Sequence, residues 1–570
     1  MRAEAGAQQR GQGQVPDVLI IGAGASGAVV AWSLARAGLR VVCLEQGDWV
    51  DPRSYAHWGP DWERRRQTDW AKDPNVRARP EDYPLDNRDT PITPLMFNAV
   101  GGSTIHWSGH FPRFRPSDFR VRTLDGVADD WPLTYWDLAP YYDQNDAFIG
   151  VSGLHGDPAY PPRPPRHGPP QGLGPGGEAY VRGLERLGWH WWPSDSALLS
   201  APLGGAQGES PEGPLGGAHG GAHGGPHGEG RAVCNACGPC DLGCPTGAMS
   251  SAHVTYWPAA LAAGAELRTR ARVREITVDR QGRAAGAVYY DGTGRVQEQP
   301  ARLVVLAGNG IGTPRLLLNS VSGRFPRGLA NSSGQVGRNL MFHPVAFVSG
   351  TFAERLDAFQ GPLGTFLHCQ EFYETDPRRG FLRGFQLQLC RDGGPLMTAL
   401  GGFTQHQLPW GQGHHRALRE RFAHTLNVCV MVEDLPEAHN RVTLSPDLTD
   451  DHGIPAPRVS YTVGENSRLA LDYGIARAEE LLDAAGAHTV RHDPLARETG
   501  WHLMGTARMG DDPATSVVNR WGRAHDVPNL FIVDGSVFVT CASINPTTTI
   551  QALALRSADW IRQHHQEVAP

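Results

Sequence analysis

The stretch DVLIIGAGASG at residues 17–27 decides the fold. Asp17 to Ile21 reads as a buried strand, because four apolar residues run on without a polar break. Glycines then fall at 22, 24 and 27 in the spacing G-x-G-x-x-G. Ser26 to Ala37 has helical composition, and LRVVCLE at 39–45 reads as a second, parallel strand that ends on Glu45. Strand, glycine turn, helix and strand within about 30 residues make a βαβ unit. Gly22 permits the tight turn, Gly24 lets the backbone approach a pyrophosphate, and Gly27 lets helix and strand close up. The helix N-terminus adds a dipole that favours phosphate. Glu45, 18 residues after Gly27, is placed to accept hydrogen bonds from a ribose. The bland alternative is a glycine turn that binds nothing. The strand before it, the helix after it and the acidic residue favour a dinucleotide site.

Outward from this unit, LVVLA at 303–307 and LFIV at 530–533 are further buried strands, and Glu266 to Asp291 looks like a hairpin or meander. Ile550 to Gln563 suits a closing helix. Strands of the parallel type near both ends imply one nucleotide-binding domain assembled from separated segments, with the rest forming a second domain. Residues 201–230 stand apart. GGAQGESPEGPLGGAHGGAHGGPHGEG is almost all Gly, Pro, Ala and His, and has too little apolar surface to fold alone, so a flexible loop is expected. Its His219, His223 and His227, four apart, raise metal capture as the alternative to a plain linker. A second Pro/Gly-rich stretch runs from Pro158 to Gly177.

Composition narrows the function. Over 570 residues the charged fraction is 19% and the net charge −7, so there is no basic footprint for nucleic acid. No apolar run approaches the roughly 18 residues that cross a bilayer. The opening MRAEAGAQQRGQGQVPD has neither an apolar signal core nor a twin-arginine pair. A cytoplasmic protein is expected, or a periplasmic one co-exported with a partner. Nine cysteines, an odd number, argue against a disulfide framework. Cys43, Cys369, Cys390, Cys429 and Cys541 are scattered singly and read as buried small apolar side chains.

Several motifs together resemble the glucose–methanol–choline (GMC) family of FAD-dependent oxidoreductases. NAVGGSTIHW at 98–107 resembles that family's second glycine motif, and DWPLTYWDLAPYYDQNDAFIGVSG at 130–153 resembles its entry into the substrate domain. LVVLAGNGIGTPRLLLNS, GLANSSGQVGRNLMFHP and VPNLFIVDGSVFVTCASINPTTTIQALALR are similar to its middle and closing segments. The resemblance implies an α/β fold, with a Rossmann-type FAD domain and a smaller α+β substrate domain on an antiparallel sheet. The FAD domain would take residues 16–110, 231–345 and 500–565, and the substrate domain 111–200 and 346–499. It implies FAD as cofactor and oxidation of an alcohol, sugar or polyol CH–OH by hydride transfer to the flavin. Carried over residue by residue, Ser26 and Glu45 hold the ADP half, and Gly101, Gly102 and Ser103 face the pyrophosphate or isoalloxazine. Val273 touches the adenine, and Asp534 and Thr547 line the cofactor. His106, just after the second glycine motif, stands where some members attach the flavin covalently; packing beside the ring without a bond is the alternative.

WHLMGTARMG places His502 at the family's catalytic histidine, and INPTTT places Asn545 at its partner. An alcohol yields hydride only as its hydroxyl proton leaves, so a neutral imidazole is wanted as base. An amide can orient the oxygen without competing for the proton. The competing readings are a core histidine for His502 and a turn asparagine before proline for Asn545.

CNACGPCDLGCPTGAM at 234–249 sets Cys234, Cys237, Cys240 and Cys244 in the spacing that holds iron–sulfur clusters in bacterial ferredoxins. It also resembles the cysteine segments of gluconate and sugar dehydrogenase large subunits and of long-chain alcohol oxidases. In the first case an iron–sulfur centre would pass electrons to an external acceptor, a cytochrome or quinone, or to a small subunit. A four-thiolate zinc site or a plain reduced loop remain open. The leading expectation is a dehydrogenase. A long-chain alcohol or sterol oxidase and a non-catalytic redox-sensing flavoprotein are the alternatives.

Overall fold

All four residues of β1 (Val18–Ile21) are buried, as an unbroken apolar strand must be when it runs in the middle of a parallel sheet. The helix α1 (Ala25–Arg36) returns the chain, and β2 (Val41–Leu44) pairs beside β1 with Val18 opposite Val41. On the other side of β1 lies Leu303–Leu306, followed by Leu530–Ile532 at the edge. Glu266–Arg268 closes the far edge beside β2, and all five strands are parallel. The computed structural model describes residues 15–58, 61–203, 230–362 and 367–569. The Gly/His-rich stretch, with His219, His223 and His227, falls outside the described residues except at 201–203 and 230.

The hairpin or meander expected over Glu266 to Asp291 is present as a meander, but it starts later. Its first three residues join the parallel sheet, and Arg272–Val278, Ala284–Tyr290 and Val296–Pro300 form a separate antiparallel meander. A three-residue strand is too short to show a period, so only its neighbours reveal it. The closing helix is longer than expected, Thr547–Val568, because Pro546 takes its N-cap position directly after the turn. Its apolar side, with Ala554, Leu555, Ala558 and Ile561, packs into the core that α1 also joins.

The second layer is a six-stranded antiparallel sheet. Its order is Thr489–Asp493, Val345–Thr351, Thr425–Val432, Phe385–Cys390, Leu367–Cys369 and Trp191–Pro193. Strand side chains alternate between faces, and here both faces are covered. Val428, Val430, Leu387 and Leu389 pack against the helices Gly174–Leu187 and Glu465–Ala485. Phe347, Cys429, Met431 and Gln388 point the other way, toward a cavity. The α/β class and the antiparallel second layer expected from the sequence are both present. Among the described residues no helix is long and apolar enough to cross a membrane.

Candidate active site

A cavity of about 920 Å³ lies between the carboxyl ends of the parallel strands and the near face of the antiparallel sheet. Open α/β sheets bind their ligands at that position. Gly22 takes a φ of +102°, and a Cβ there would sit 2.4 Å from the Ala307 carbonyl oxygen. At Gly27 a Cβ would overlap the Gly22 oxygen at 2.0 Å. Both glycines are demanded by the close packing of β1, α1 and the neighbouring strand. Gly24 differs: a Cβ there would meet nothing within 4 Å, and the residue lines the cavity. No side chain caps α1, so the first amides of the helix, at Ala25 and Ser26 on the cavity wall, are left for a ligand.

β2 delivers Glu45 to the same wall. Its carboxylate accepts from the Ala23 N–H at 2.7 Å and the Gly47 N–H at 2.9 Å, and burial raises its pKa against those bonds. Gly102, Ser103, Val273, Asp534 and Thr547 also line the cavity. Asp534 accepts from the Asn309 N–H (3.1 Å), the Thr313 hydroxyl (2.6 Å) and the Ser536 N–H (2.9 Å), tying two helix starts together. Gly101 does not line the cavity. Its φ of +97° carries the turn, and a Cβ there would press on His253 at 3.0 Å. His106 is buried in the wall between Trp70 and Phe97, and neither ring nitrogen has a hydrogen-bond partner among the described residues. Burial, and then the nearby Lys72, hold it well below the usual histidine range, so it is neutral.

His502 and Asn545 line the same cavity, 43 residues apart in sequence. His502 Nδ1 lies 2.6 Å from His343 Nδ1, and His343 Nε2 lies 2.7 Å from the Ala542 carbonyl oxygen. A carbonyl only accepts, so His343 Nε2 carries a proton. Burial lowers His343 to about 4, so its ring is neutral and its Nδ1 is a bare lone pair. His502 therefore donates from Nδ1, which leaves its own lone pair on Nε2. Burial, reinforced by His343, keeps His502 well below its ordinary value. On the other side, Gln388 Nε2 donates to Asn545 Oδ1 at 2.6 Å, so Asn545 keeps its Nδ2–H group for a ligand oxygen. Phe347, Met431, Phe403 and Trp501 add apolar surface to this end, beside the polar Gln405 and Asp493.

Sequence reading singles out neither His343 nor Gln388. His343 stands in GRNLMFHP with no local pattern to mark it. Gln388 does carry a signal: FQLQLC alternates polar with apolar, so one face of that strand is polar although the strand is buried.

Cys234, Cys237, Cys240 and Cys244 are not joined in disulfides. A tetrahedral zinc with Zn–S near 2.3 Å would bring its thiolates to about 3.8 Å of one another. Among the described residues only Asp450, Asp451 and His452 bring three ligand atoms within 4.8 Å, and Arg272 and Arg315 neutralise Asp450. Cys234, Cys240 and Cys244 pack on Leu198 and Met249, as does the cavity-lining Trp107. Gly243 lies against the Tyr55 ring, Tyr55 Oη is 2.9 Å from His253 Nε2, and His253 abuts Gly101. Buried Asp241 pairs with Arg66 at 2.8 Å and Lys72 at 2.9 Å, two cations that line the cavity. The segment is thus bound to the cavity wall from three directions. Of the scattered cysteines, Cys43, Cys369, Cys429 and Cys541 are buried core side chains as expected and Cys390 is partly buried, while Cys390 and Cys429 also line the cavity.

Comparison with known proteins gives the same picture along the whole chain. Two family models described as GMC oxidoreductase match residues 223–345 and 436–554, and one described as FAD dependent oxidoreductase matches 17–73. The 2-methyl-1,2-propanediol dehydrogenase of Mycolicibacterium austroafricanum is 44% identical over 558 residues, covering 97% of this chain and 96% of that one. The fructose dehydrogenase large subunit of Gluconobacter japonicus is 30% identical over 565 residues, covering 96% and 97%. Among solved structures, a formate oxidase of Aspergillus oryzae superposes with a TM-score of 0.63 at 15% identity, over 98% of this chain and 100% of that one. That last likeness concerns the fold alone.

Proposed function

The chain belongs to the GMC oxidoreductases, FAD-dependent enzymes that act on CH–OH groups, and on that premise we propose that it is a dehydrogenase of small aliphatic diols. The residues fit FAD. The open cradle at Gly24 and the uncapped start of α1 suit the pyrophosphate, and Glu45 keeps lone pairs for the ribose hydroxyls. Bound there, FAD supplies the acceptor for the hydride leaving the substrate carbon. His502 Nε2 takes the hydroxyl proton, and its depressed pKa keeps it available as a base at neutral pH. Asn545 Nδ2 donates to the same oxygen and fixes its direction. The observation that carries the diol reading is the apolar part of the wall at this end: Phe347, Met431, Phe403 and Trp501 offer an alkyl group a surface. The extensive identity to a diol dehydrogenase supports it. Anaerobic flavin absorbance during titration is the test. Bleaching is expected with 2-methyl-1,2-propanediol and related diols at lower concentrations than with fructose or gluconate; bleaching by sugars alone would overturn it.

We read Cys234, Cys237, Cys240 and Cys244 as ligands of an iron–sulfur centre that passes single electrons to an external acceptor, a cytochrome or quinone, directly or through a small subunit. Support comes from the two-two-three spacing of the four cysteines, and from the packing of Cys234, Cys240 and Cys244 with the cavity-lining Trp107. Anaerobic preparations should contain iron and acid-labile sulfide in comparable amounts. Cys240→Ser should remove both, spare flavin reduction, and cut turnover with ferricyanide. Zinc in place of iron, or unchanged ferricyanide turnover, would refute this assignment.

A further inference from the structure

Two thiols meet inside the catalytic cavity and take no part in the chemistry proposed above. Cys390 ends the strand Phe385–Cys390, and Cys429 lies in the neighbouring strand Thr425–Val432. The register sets Gln388 opposite Cys429 and Cys390 opposite Asn427, so the two cysteines are diagonal neighbours on one face of the sheet. That face lines the cavity, and both residues belong to its wall. They share one apolar cluster with Phe347, Met431, Phe403 and Trp501. The neighbouring Cys390 thiol, together with burial, pushes Cys429 well up and keeps it a neutral S–H. Cys369, one strand further on, pairs with Leu387 and faces the helices instead.

The diagonal placement decides what chemistry the pair can do. Diagonal neighbours on antiparallel strands have Cα atoms about 7–8 Å apart, whereas a disulfide usually asks for about 4.4–6.8 Å. A direct S–S bond would therefore require the strands to shift. A ligand atom inserted between the sulfurs removes that demand, and soft thiophilic elements bind paired sulfurs in this way. Because Cys429 stands opposite Gln388, which holds Asn545, a group bridging the sulfurs would stand beside the catalytic amide.

We propose that Cys390 and Cys429 form a dithiol site for trivalent organoarsenicals, and that its occupation closes the substrate pocket. With an arsenoxide R–As=O, two As–S bonds form while As=O and both S–H bonds break. The oxygen leaves as water with the two thiol protons, and nothing is oxidised or reduced. The closing of the pocket rests on the catalytic reading above; the binding does not.

The test uses the holoenzyme and phenylarsine oxide. Arsenic retained after gel filtration should be one per chain lower in Cys390→Ser and in Cys429→Ser than in the parent, whatever the cysteine segment binds. In the parent, arsenoxide should slow anaerobic flavin reduction by substrate at least tenfold. 2,3-Dimercaptopropanol should restore the rate, and 2-mercaptoethanol at equal thiol concentration should not. Each Ser variant, compared with its own untreated rate, should lose this sensitivity, while Cys369→Ser and Cys237→Ser should retain it. The flavin spectrum reports that each variant is folded, and Cys390→Ala serves if the Ser variant is not. Unchanged arsenic content in both variants would overturn the site. Loss of sensitivity in Cys237→Ser would move the target to the cysteine segment and equally overturn it. Arsenic bound at the pair with no slowing of flavin reduction would leave the dithiol standing and defeat the closure.

Discussion

His502 and His343 share one proton across 2.6 Å, Nδ1 to Nδ1, and the Ala542 carbonyl on the far side of His343 fixes which ring owns it. The nitrogen of His502 that keeps its lone pair, the base of the proposed mechanism, is thus chosen by a backbone oxygen two hydrogen bonds away. Replacing His343 should therefore damage catalysis without touching substrate. In His343→Ala the His502 ring loses the acceptor that holds its tautomer. Flavin reduction is expected to slow at least tenfold, and less than the roughly 10²- to 10⁴-fold that loss of a positioned base costs. Stopped-flow reduction of bound flavin in His343→Ala and His502→Ala checks the order. Equal or larger loss in His343→Ala would show that His343 itself is the base.

The pH profile follows from the same burial. A free histidine is protonated below about 6.5 and would stop accepting protons there. His502 is held well below that value, so its protonated fraction stays small as pH falls through 6.5. The acid limb of kcat/KM for flavin reduction is therefore expected below pH 6.5. A limb at or above 6.5 would mean that the base is not the buried His502.

Gln388 acts through Asn545 rather than on substrate. Gln388→Leu removes the donor that engages Asn545 Oδ1, leaving that amide free to turn its oxygen toward the substrate hydroxyl. A lost buried hydrogen bond of this kind costs about 1–3 kcal/mol, so kcat for flavin reduction should fall roughly 5- to 150-fold. Gln388→Glu, which accepts instead of donating when ionised, should not rescue it. Full activity in Gln388→Leu would show that Asn545 is oriented by other contacts.

Gly24 and Gly27 should fail in different ways. A Cβ at Gly24 meets open cavity, so Gly24→Val is expected to fold with a normal melting temperature and to purify without FAD. A Cβ at Gly27 falls 2.0 Å from the Gly22 oxygen, so Gly27→Val should lose stability as well as cofactor. Thermal unfolding and the flavin-to-protein absorbance ratio separate the two. Full FAD occupancy in Gly24→Val would remove the pyrophosphate from that cradle.

What the sequence reveals and what it hides divide along chain separation. The βαβ unit was legible because strand, turn and helix fit within one short window around Gly22–Gly27, and each glycine has its own steric reason. The segments of His502 and Asn545 stood out because each is a distinctive short motif, and the two residues line one cavity. His343 and Gln388 did not, since their roles arise only when segments 159 and 157 residues apart meet. The substrate wall was hidden for another reason. Thr425–Val432 is covered on both faces, so it reads as an apolar run, and nothing local says that Cys429 and Met431 face a cavity while Val428 and Val430 face helices.

The sheet that holds β1 also holds Leu530–Ile532, one strand away, although about 500 residues of chain lie between them. At a synthesis rate of roughly 5–20 residues per second, the last strand follows the first by about 25–100 s. Asp534, Asn545 and Thr547 arrive later still. During that interval the glycine cradle exists on the ribosome without its far wall, and no partial chain owns a complete base–amide pair. Cofactor capture is therefore expected only after residues 530–547 have been made and close over a scaffold that has been waiting for them. Truncation ahead of residue 530 should yield colourless protein rather than a weakened enzyme.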